Sequence, residues 1–504
     1  MAIAVAREAD TSRGDLPLED ALNTGHDRRS FLRRMSFGGG VLALAPLANG
    51  IAGTARTAAS VASPASSLGG YDFDTIANRT HDDSVKWSGA LSSEQLDRIV
   101  AGMGIADMDF HCAPAITGAL RKAVEHDNWG YIDMAQPGRQ AWLQSIVDWN
   151  RKRHGVTAMN LGNLGVTTGV HAGIVATLRA FCPEGGKVLM ATPIYNGFYG
   201  DLAATRTIAN ESRLKFVGGR HEIDWDDFER RAAMPDTKVS ILCNPHNPVG
   251  RAWTREEMTR YGEICLRRHV LVLADEIHCD FTSKGQRYIP FSTLDNQAIV
   301  NNSITFKSVS KSFSLAGMKC AWFFTTNPEV YEAVSFHNLA DLNTLGMVAA
   351  EAAYAGGEGW LNDCASYISD NQEFANAYIK ENIPMFKVGQ TPQGTYLVWV
   401  DVTALADRIQ ASKLADDANQ QAHDTAARLG ADYSGRRQVV VAPFQTPEDV
   451  VQHWLAKNAY VQLVAGASFG LGSANHMRMN VATSRQTLTA ALDSMSNALR
   501  KLEA

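Results

Sequence analysis

A lysine set among hydroxyls, just past a strand-like run, is the part of this chain best suited to covalent chemistry. It is Lys311, within Ser303-Ile-Thr-Phe-Lys-Ser-Val-Ser-Lys-Ser-Phe-Ser-Leu-Ala-Gly-Met-Lys319. The β-branched and aromatic start of the run predicts a strand, and its Ser-rich, Gly-containing continuation predicts a turn. Desolvation behind a buried strand, with a second cation at Lys319, lowers the pKa of such an ammonium and makes the amine a nucleophile toward an aldehyde. The hydroxyls of Ser308 and Ser310, with Lys319, suit a phosphate. Aldehyde and phosphate meet on one molecule in pyridoxal 5'-phosphate. Taken by itself the run also reads as a solvated Ser/Lys loop, so the coenzyme's other requirements decide.

Those requirements find residues at further strand ends. A pyridine nitrogen kept protonated needs a buried carboxylate, and Asp275 closes the apolar run Val270 to Ala274. A helix cap is the alternative role for an Asp there. A phosphate needs backbone N–H groups as well as hydroxyls, and Gly169-Val170 opens a predicted helix. The ring's phenolic oxygen needs a donor, for which Asn247 stands in a loop stiffened by Pro245 and Pro248. Tyr195, after Thr192-Pro193, could lie on the ring face or be an ordinary core aromatic. An amino-acid substrate brings an α-carboxylate, best gripped by a fixed arginine. Arg478 sits inside the otherwise apolar Met477-Arg478-Met479-Asn480-Val481. A structural ion pair would also explain it.

The elements that must carry these residues alternate. Asn163 to Thr167, Lys187 to Ala191, Val239 to Cys243, Val270 to Ala274 and Ile304 to Phe306 are apolar runs, each followed by a polar loop and a helical pattern. That order predicts an α/β fold with a mostly parallel sheet covered by helices on both faces. Ligands of such sheets bind beyond the carboxyl ends of the strands, where every polar cluster above falls. Thr395 to Val400, Val461 to Val464 and Met477 to Val481 predict strands of a smaller α+β domain, closed by a helix from Arg485 to Leu502. The expected organisation is a leader and linker over 1–68, an arm over 69–110, a large domain over 111–355 and a small domain over 356–504. An insertion is expected around 410–455.

Composition narrows the partners. A net charge of −6 with 20% charged residues gives no basis for nucleic acid or an anionic membrane as partner. The seven cysteines are scattered without a Cys-x-x-Cys pair, so neither a zinc site nor a disulfide framework is expected. The leader carries Asp27-Arg28-Arg29-Ser30-Phe31-Leu32-Arg33-Arg34, then a mildly apolar stretch from Phe37 to Ala52 and an Ala/Ser/Thr-rich tail. It is too weakly apolar for a membrane span and resembles a twin-arginine export signal, the alternative being a basic tail. That signal implies passage through the twin-arginine translocation machinery, with a periplasmic or secreted destination. The route carries folded proteins, so a cytosolic coenzyme could be loaded beforehand.

The order of the motifs resembles the fold-type-I pyridoxal phosphate enzymes of the class I/II aminotransferase family. Within it, the chain resembles the branch of cystathionine β-lyase-like C–S lyases. The residues that carry the resemblance are Ser84-Val85-Lys86-Trp87, Ala106-Asp107-Met108-Asp109-Phe110, Trp129-Gly130-Tyr131, Asn244-Pro245-His246-Asn247-Pro248-Val249-Gly250, Asp275-Glu276-Ile277-His278, Ser308-Val309-Ser310-Lys311-Ser312-Phe313 and Pro392-Gln393-Gly394-Thr395-Tyr396. The resemblance runs from about Tyr71 to the C-terminus. It implies that Lys311 bonds the coenzyme aldehyde, Asp275 pairs with the ring nitrogen, and Asn247 meets the ring oxygen with His278 in support. It also implies that Tyr195 stacks on the ring, Ser308 holds phosphate, Lys319 takes the place of a phosphate-binding cation, and Arg478 binds the carboxylate. Tyr131 is expected to reach the coenzyme of a neighbouring subunit, which makes a homodimer the implied assembly.

Three readings of function follow. A C–S β-lyase would release a thiol, pyruvate and ammonia from an amino-acid substrate. An exported aminotransferase would act on an amino acid or on an amino group of a peptide metabolite such as a siderophore. A non-catalytic binding module is the third. The motifs do not separate the first two, because one lysine can serve as base and acid in both reactions.

Overall fold

A computed structural model describes residues 70–503, apart from 83, 88–95 and 433–443, with no side-chain description over 425–432. The twin-arginine leader and its linker lie outside the described residues. The main sheet has seven strands: β1 Leu164–Thr167, β2 Lys187–Thr192, β3 Ile208–Arg213, β4 Thr237–Cys243, β5 Leu271–Asp275, β6 Ser303–Ser308 and β7 Ala321–Phe324. Their order across the sheet is β1-β7-β6-β5-β4-β2-β3. All neighbouring pairs from β6 to β3 are parallel, and β7 runs antiparallel to both β6 and β1. The expected α/β architecture is therefore present. The antiparallel β7 and the edge strand β3 have no counterpart among the predicted strands.

Burial on both faces explains the composition of the central strands. Every residue of β5 and β6 is buried, which favours continuous apolar runs over alternation. One face carries the helices Pro137–His154 and Thr344–Gly356, which deliver Trp142, Ile146, Met347 and Ala350 to a shared core. Helix Val170–Phe181 covers other strands with Ile174 and Leu178. Helix Arg255–Arg267 is started by a reciprocal cap between Thr254 and Glu257 and buries Met258, Tyr261 and Ile264. Lys307, on a fully buried strand, is neutralised by Glu276 at 3.9 Å and donates to Asn150 Oδ1 at 2.9 Å.

A second sheet follows in the order β8 Lys387–Val388, β9 Leu397–Asp401, β11 His476–Asn480 and β10 Val464–Ala465. Helices Glu358–Asn382 and Arg485–Glu503 pack against it over Ala375, Ile379, Leu488 and Leu492. Part of the stretch read as an arm belongs to this core, because Ala101–Gly102 pairs in parallel with Val461–Gln462. The long stretch around 410–455 contains helix Ala411–Asp432, beside which helix Pro447–Asn458 packs. Reciprocal bonds join Asn419 to the Gln445 backbone. Among the described residues no helix is long and apolar enough to cross a membrane.

Candidate active site

The register of the main sheet gathers the candidate residues. Asp275, the last residue of β5, lies opposite Phe306 of β6, and Lys311 follows β6 on the short helix Val309–Ser312. The Lys311 ammonium donates to the Ala106 carbonyl at 2.6 Å. Burial and the nearby Arg478 lower its pKa from 10.5 to about 8, while Asp107 and Asp275 pull the other way. Asp275 accepts from the Ile277 N–H at 3.1 Å. Burial pushes its carboxyl up to about 6, against that N–H and the charges of His171 and Lys311. These two groups are displaced toward each other, as an amine nucleophile and a carboxylate awaiting a cation require.

Arg478 extends from β11 of the second sheet and is 4% exposed. Its Nη1 donates to Asn247 Oδ1 at 3.2 Å and its Nη2 to the Gly104 carbonyl at 2.9 Å, over the face of Phe469. Its Nε has no partner. Among the described residues no carboxylate lies within 4 Å of it, so the structural ion pair weighed from the sequence does not form. Desolvation lowers its pKa to about 10. A buried guanidinium without a counter-anion is a site for one. With Asn247 Oδ1 occupied, the amide NH₂ of Asn247 is the end left to donate elsewhere.

His278 is buried, its Nδ1 has no partner, and it meets Tyr396 edge to face at 5.3 Å. Burial, then the charges of Lys311 and Arg478, hold it well below 6.5, so it is neutral. Among the described residues it makes no hydrogen bond to Asn247. Its support goes instead to Tyr396, whose hydroxyl donates at 2.9 Å to the same Ala106 carbonyl that Lys311 uses. Tyr195 lies at the margin of the core rather than in it. Its hydroxyl is 3.3 Å from His171 Nε2, and its ring meets Phe198 edge to face.

The phosphate candidates share one corner of the sheet, since Ala321 of β7 pairs with both Ser308 and Thr167. Lys319 therefore leads into that corner, with Gly169 and Val170 opening helix Val170–Phe181 beside it and leaving first-turn N–H groups free. Ser308 is largely engaged within the loop: its Oγ caps Ser310 N–H at 2.9 Å and lies 2.7 Å from the Cys320 carbonyl. Ser310 and the exposed Lys319 are freer. Together these features fit pyridoxal phosphate: a buried carboxylate without a salt bridge among the described residues, a lowered amine, helix N–H groups and an arginine without a carboxylate partner. Tyr131 is fully exposed and does not enter the site of its own chain.

The family described as aminotransferase class I and II matches residues 98–495. The chain belongs to that family. Cystathionine beta-lyase PatB of Bacillus subtilis (strain 168) is 31% identical over 341 residues, covering 66% of this chain and 85% of the relative. The cystathionine beta-lyase of Corynebacterium glutamicum is 26% identical over 337 residues, with coverages of 66% and 83%. Among solved structures, the PLP-bound C-S lyase from Staphylococcus hominis superposes with a TM-score of 0.70 at 27% identity, covering 85% of this chain and 99% of that one.

Several residues of this class I and II site escape a reading of the sequence. Lys86 forms a buried ion pair with Asp109 at 2.9 Å and donates to the Asp107 carbonyl at 3.0 Å, and Trp87 donates to Asp109 at 2.8 Å. The two N-terminal motifs are thus halves of one lock, a pairing their wording does not reveal. His171 and Asp201, 30 positions apart, meet beside Tyr195, and only the place of His171 at a helix start hinted at a role. His154, Cys279 and Asp280 also come together. Asp280 there accepts from Arg153 at 2.7 Å and from Ser312 at 2.5 Å, so a fixed cation already answers its charge. The cluster braces the turn that carries Lys311.

Proposed function

We propose that the chain is a pyridoxal phosphate-dependent C–S β-lyase. It would cleave an amino acid carrying a β-thioether, with water, to a thiol, pyruvate and ammonia. The observation that carries the reading is Arg478, a buried guanidinium without a carboxylate partner, joined to Asn247 beside the Lys311–Asp275 pair. It marks a place for an α-carboxylate. The β-lyase outcome is supported by relatives that bear that name and by the C-S lyase superposition.

When bound, pyridoxal phosphate supplies an electron sink for the pair released at the substrate's Cα. Arg478 holds the substrate carboxylate through a planar fork and so fixes the orientation of Cα. Lys311 Nζ, with a pKa of about 8, is partly unprotonated near neutrality and can accept the Cα proton. Asp275 presents its carboxylate to the ring nitrogen, and a cation there returns it to the ionised state that burial opposes. Asn247, its Oδ1 held by Arg478, would donate its amide to the ring oxygen. Gly169, Val170, Ser310 and Lys319 would hold the phosphate, Ser308 being largely engaged within its own loop, and Tyr195 would contact the ring. The neutral His278 and Tyr396 close the wall behind Lys311 and limit water there.

The proposal extends to assembly and location. The exposed Tyr131, with Trp129 beside it at 49% exposure, completes the site of a second copy in a homodimer. The twin-arginine leader carries the loaded protein to the periplasm or beyond. The deciding experiment supplies purified holoprotein with L-cystathionine and, separately, with amino donors plus a 2-oxo acid. Pyruvate and thiol released from cystathionine or another cysteine S-conjugate support the lyase. Amino transfer without thiol release from any S-conjugate would replace it with an aminotransferase.

A further inference from the structure

We propose that His171, anchored by Asp201, is a further positioning residue of this site, fixing the Tyr195 phenol and setting the charge felt by Asp275 and Lys311. The inference rests on the coenzyme reading above. His171 follows the Gly169-Val170 pair on the first turn of helix Val170–Phe181. Its Nδ1 lies 2.8 and 3.0 Å from the two oxygens of Asp201, a buried residue of helix Gly197–Thr205. Its Nε2 lies 3.3 Å from the Tyr195 hydroxyl. Gly197 makes room for both rings: a Cβ there would stand 2.5 Å from His171 Cε1 and 2.5 Å from the Tyr195 ring.

The groups facing His171 are Asp201 and Tyr195 in contact, with Asp275 and Lys311 at longer range. Asp201 commits the proton on Nδ1. A neutral His171 then accepts the Tyr195 O–H at Nε2, whereas an imidazolium donates Nε2–H to the phenol oxygen and frees the phenol hydrogen to turn away. The direction of the Tyr195 hydroxyl thus follows the charge of its neighbour. Burial disfavours the imidazolium, but the hydrogen bond and charge of Asp201 outweigh it and raise the pKa above 6.5. An imidazolium at His171 favours ionised Asp275 and disfavours a protonated nitrogen on Lys311.

The test is a pH titration of the visible absorbance of the lysine-bound coenzyme in wild-type, H171Q, D201N and H171Q/D201N holoproteins. H171Q removes the positive charge and leaves Asp201 uncompensated, so the midpoint moves up by several tenths of a pH unit. D201N in the wild-type background also moves it up, by less, because His171 loses its proton. In the H171Q background the same D201N change moves the midpoint down, because only a negative charge is removed. That reversal of sign is not expected of a packing role. An H171Q protein that titrates like wild type, or D201N shifts in one direction in both backgrounds, would overturn the proposal. A wild-type protein with no visible band at all would overturn the coenzyme reading and this inference together.

Discussion

Replacing Arg478 with methionine separates a substrate-binding arginine from a structural one. Burial lowers its guanidinium from 12.5 to about 10, which at about 1.4 kcal/mol per pH unit puts the cost of holding the charge near 3 kcal/mol. Methionine fills similar volume and removes that cost. Against it, Asn247 Oδ1 and the Gly104 carbonyl lose their donors, at about 1–3 kcal/mol for each buried acceptor. The opposing contributions leave a net loss of unfolding free energy between about −1 and +3 kcal/mol. Breaking a buried ion pair would instead cost about 3–5 kcal/mol. Turnover should respond quite differently. Two charge-assisted bonds to a carboxylate, at about 1.5–3 kcal/mol each, amount to roughly 3–6 kcal/mol. At about 1.4 kcal/mol per factor of ten, kcat/KM should fall about 10²- to 10⁴-fold. Steady-state pyruvate release from L-cystathionine and urea unfolding of the same samples provide both numbers. A variant that keeps kcat/KM within about tenfold, or that unfolds as if an ion pair had been cut, would refute the assignment.

Three other outcomes are expected. Asp275→Asn should stabilise coenzyme-free protein at pH 7 by roughly 3 kcal/mol, since burial raises the folded pKa of Asp275 from 3.8 to about 6. The wild-type penalty is fully present above pH 6 and fades as pH falls toward 3.8, so the gain should vanish near pH 4 in paired denaturation curves; a pH-independent gain contradicts it. Lys86→Met strands Asp109 at 3% exposure, should destabilise by about 3–5 kcal/mol, and should lower turnover although it touches no substrate. Unchanged stability in urea would show that the lock is unimportant. Mixing Lys311→Ala with Tyr131→Ala subunits should restore turnover that neither variant has alone, because one hybrid site then holds both native residues. No recovery in a mixture shown to exchange subunits would place Tyr131 outside the partner's site.

What could be read from the sequence was local. Asp275 and Arg478 stand out because a charge at the end of or inside an apolar strand demands a reason, and Lys311 because hydroxyls and a second lysine surround it. The parallel strands announce themselves as apolar runs ending in polar loops. What was hidden depends on pairings between distant stretches. Ala101–Gly102 is too short to read as a strand until Val461–Gln462 lies beside it. β7 is apolar like its neighbours, and nothing in Ala321-Trp322-Phe323-Phe324 says that it runs against them. Ser308 was read as a phosphate ligand from its type, but the loop geometry spends much of its hydroxyl on Ser310 and Cys320. Backbone acceptors carry no sequence signal at all, so the Ala106 carbonyl beneath Lys311 was invisible.

Those backbone acceptors explain why motifs more than two hundred residues before the lysine belong to the same site. The stretch from Gly104 to Asp109 presents a row of carbonyls between the two sheets. Gly104 receives Arg478, Ile105 and Asp107 receive Asn480 at 2.7 and 2.6 Å, and Ala106 receives both Lys311 and Tyr396. The row faces groups from both sheets, so its position fixes the separation of the amine on one from the guanidinium on the other. A lone irregular segment with unpaired carbonyls would be a poor ruler. Lys86 and Trp87 make it a rigid one by gripping Asp109, and Ser314 holds the Met108 N–H at 2.9 Å. Buried charges that lack direct salt bridges depend on such fixed dipoles. Lys311 and Arg478 therefore keep their displaced protonation equilibria only while this segment stays in place, which is why a change at Lys86 should be felt in catalysis.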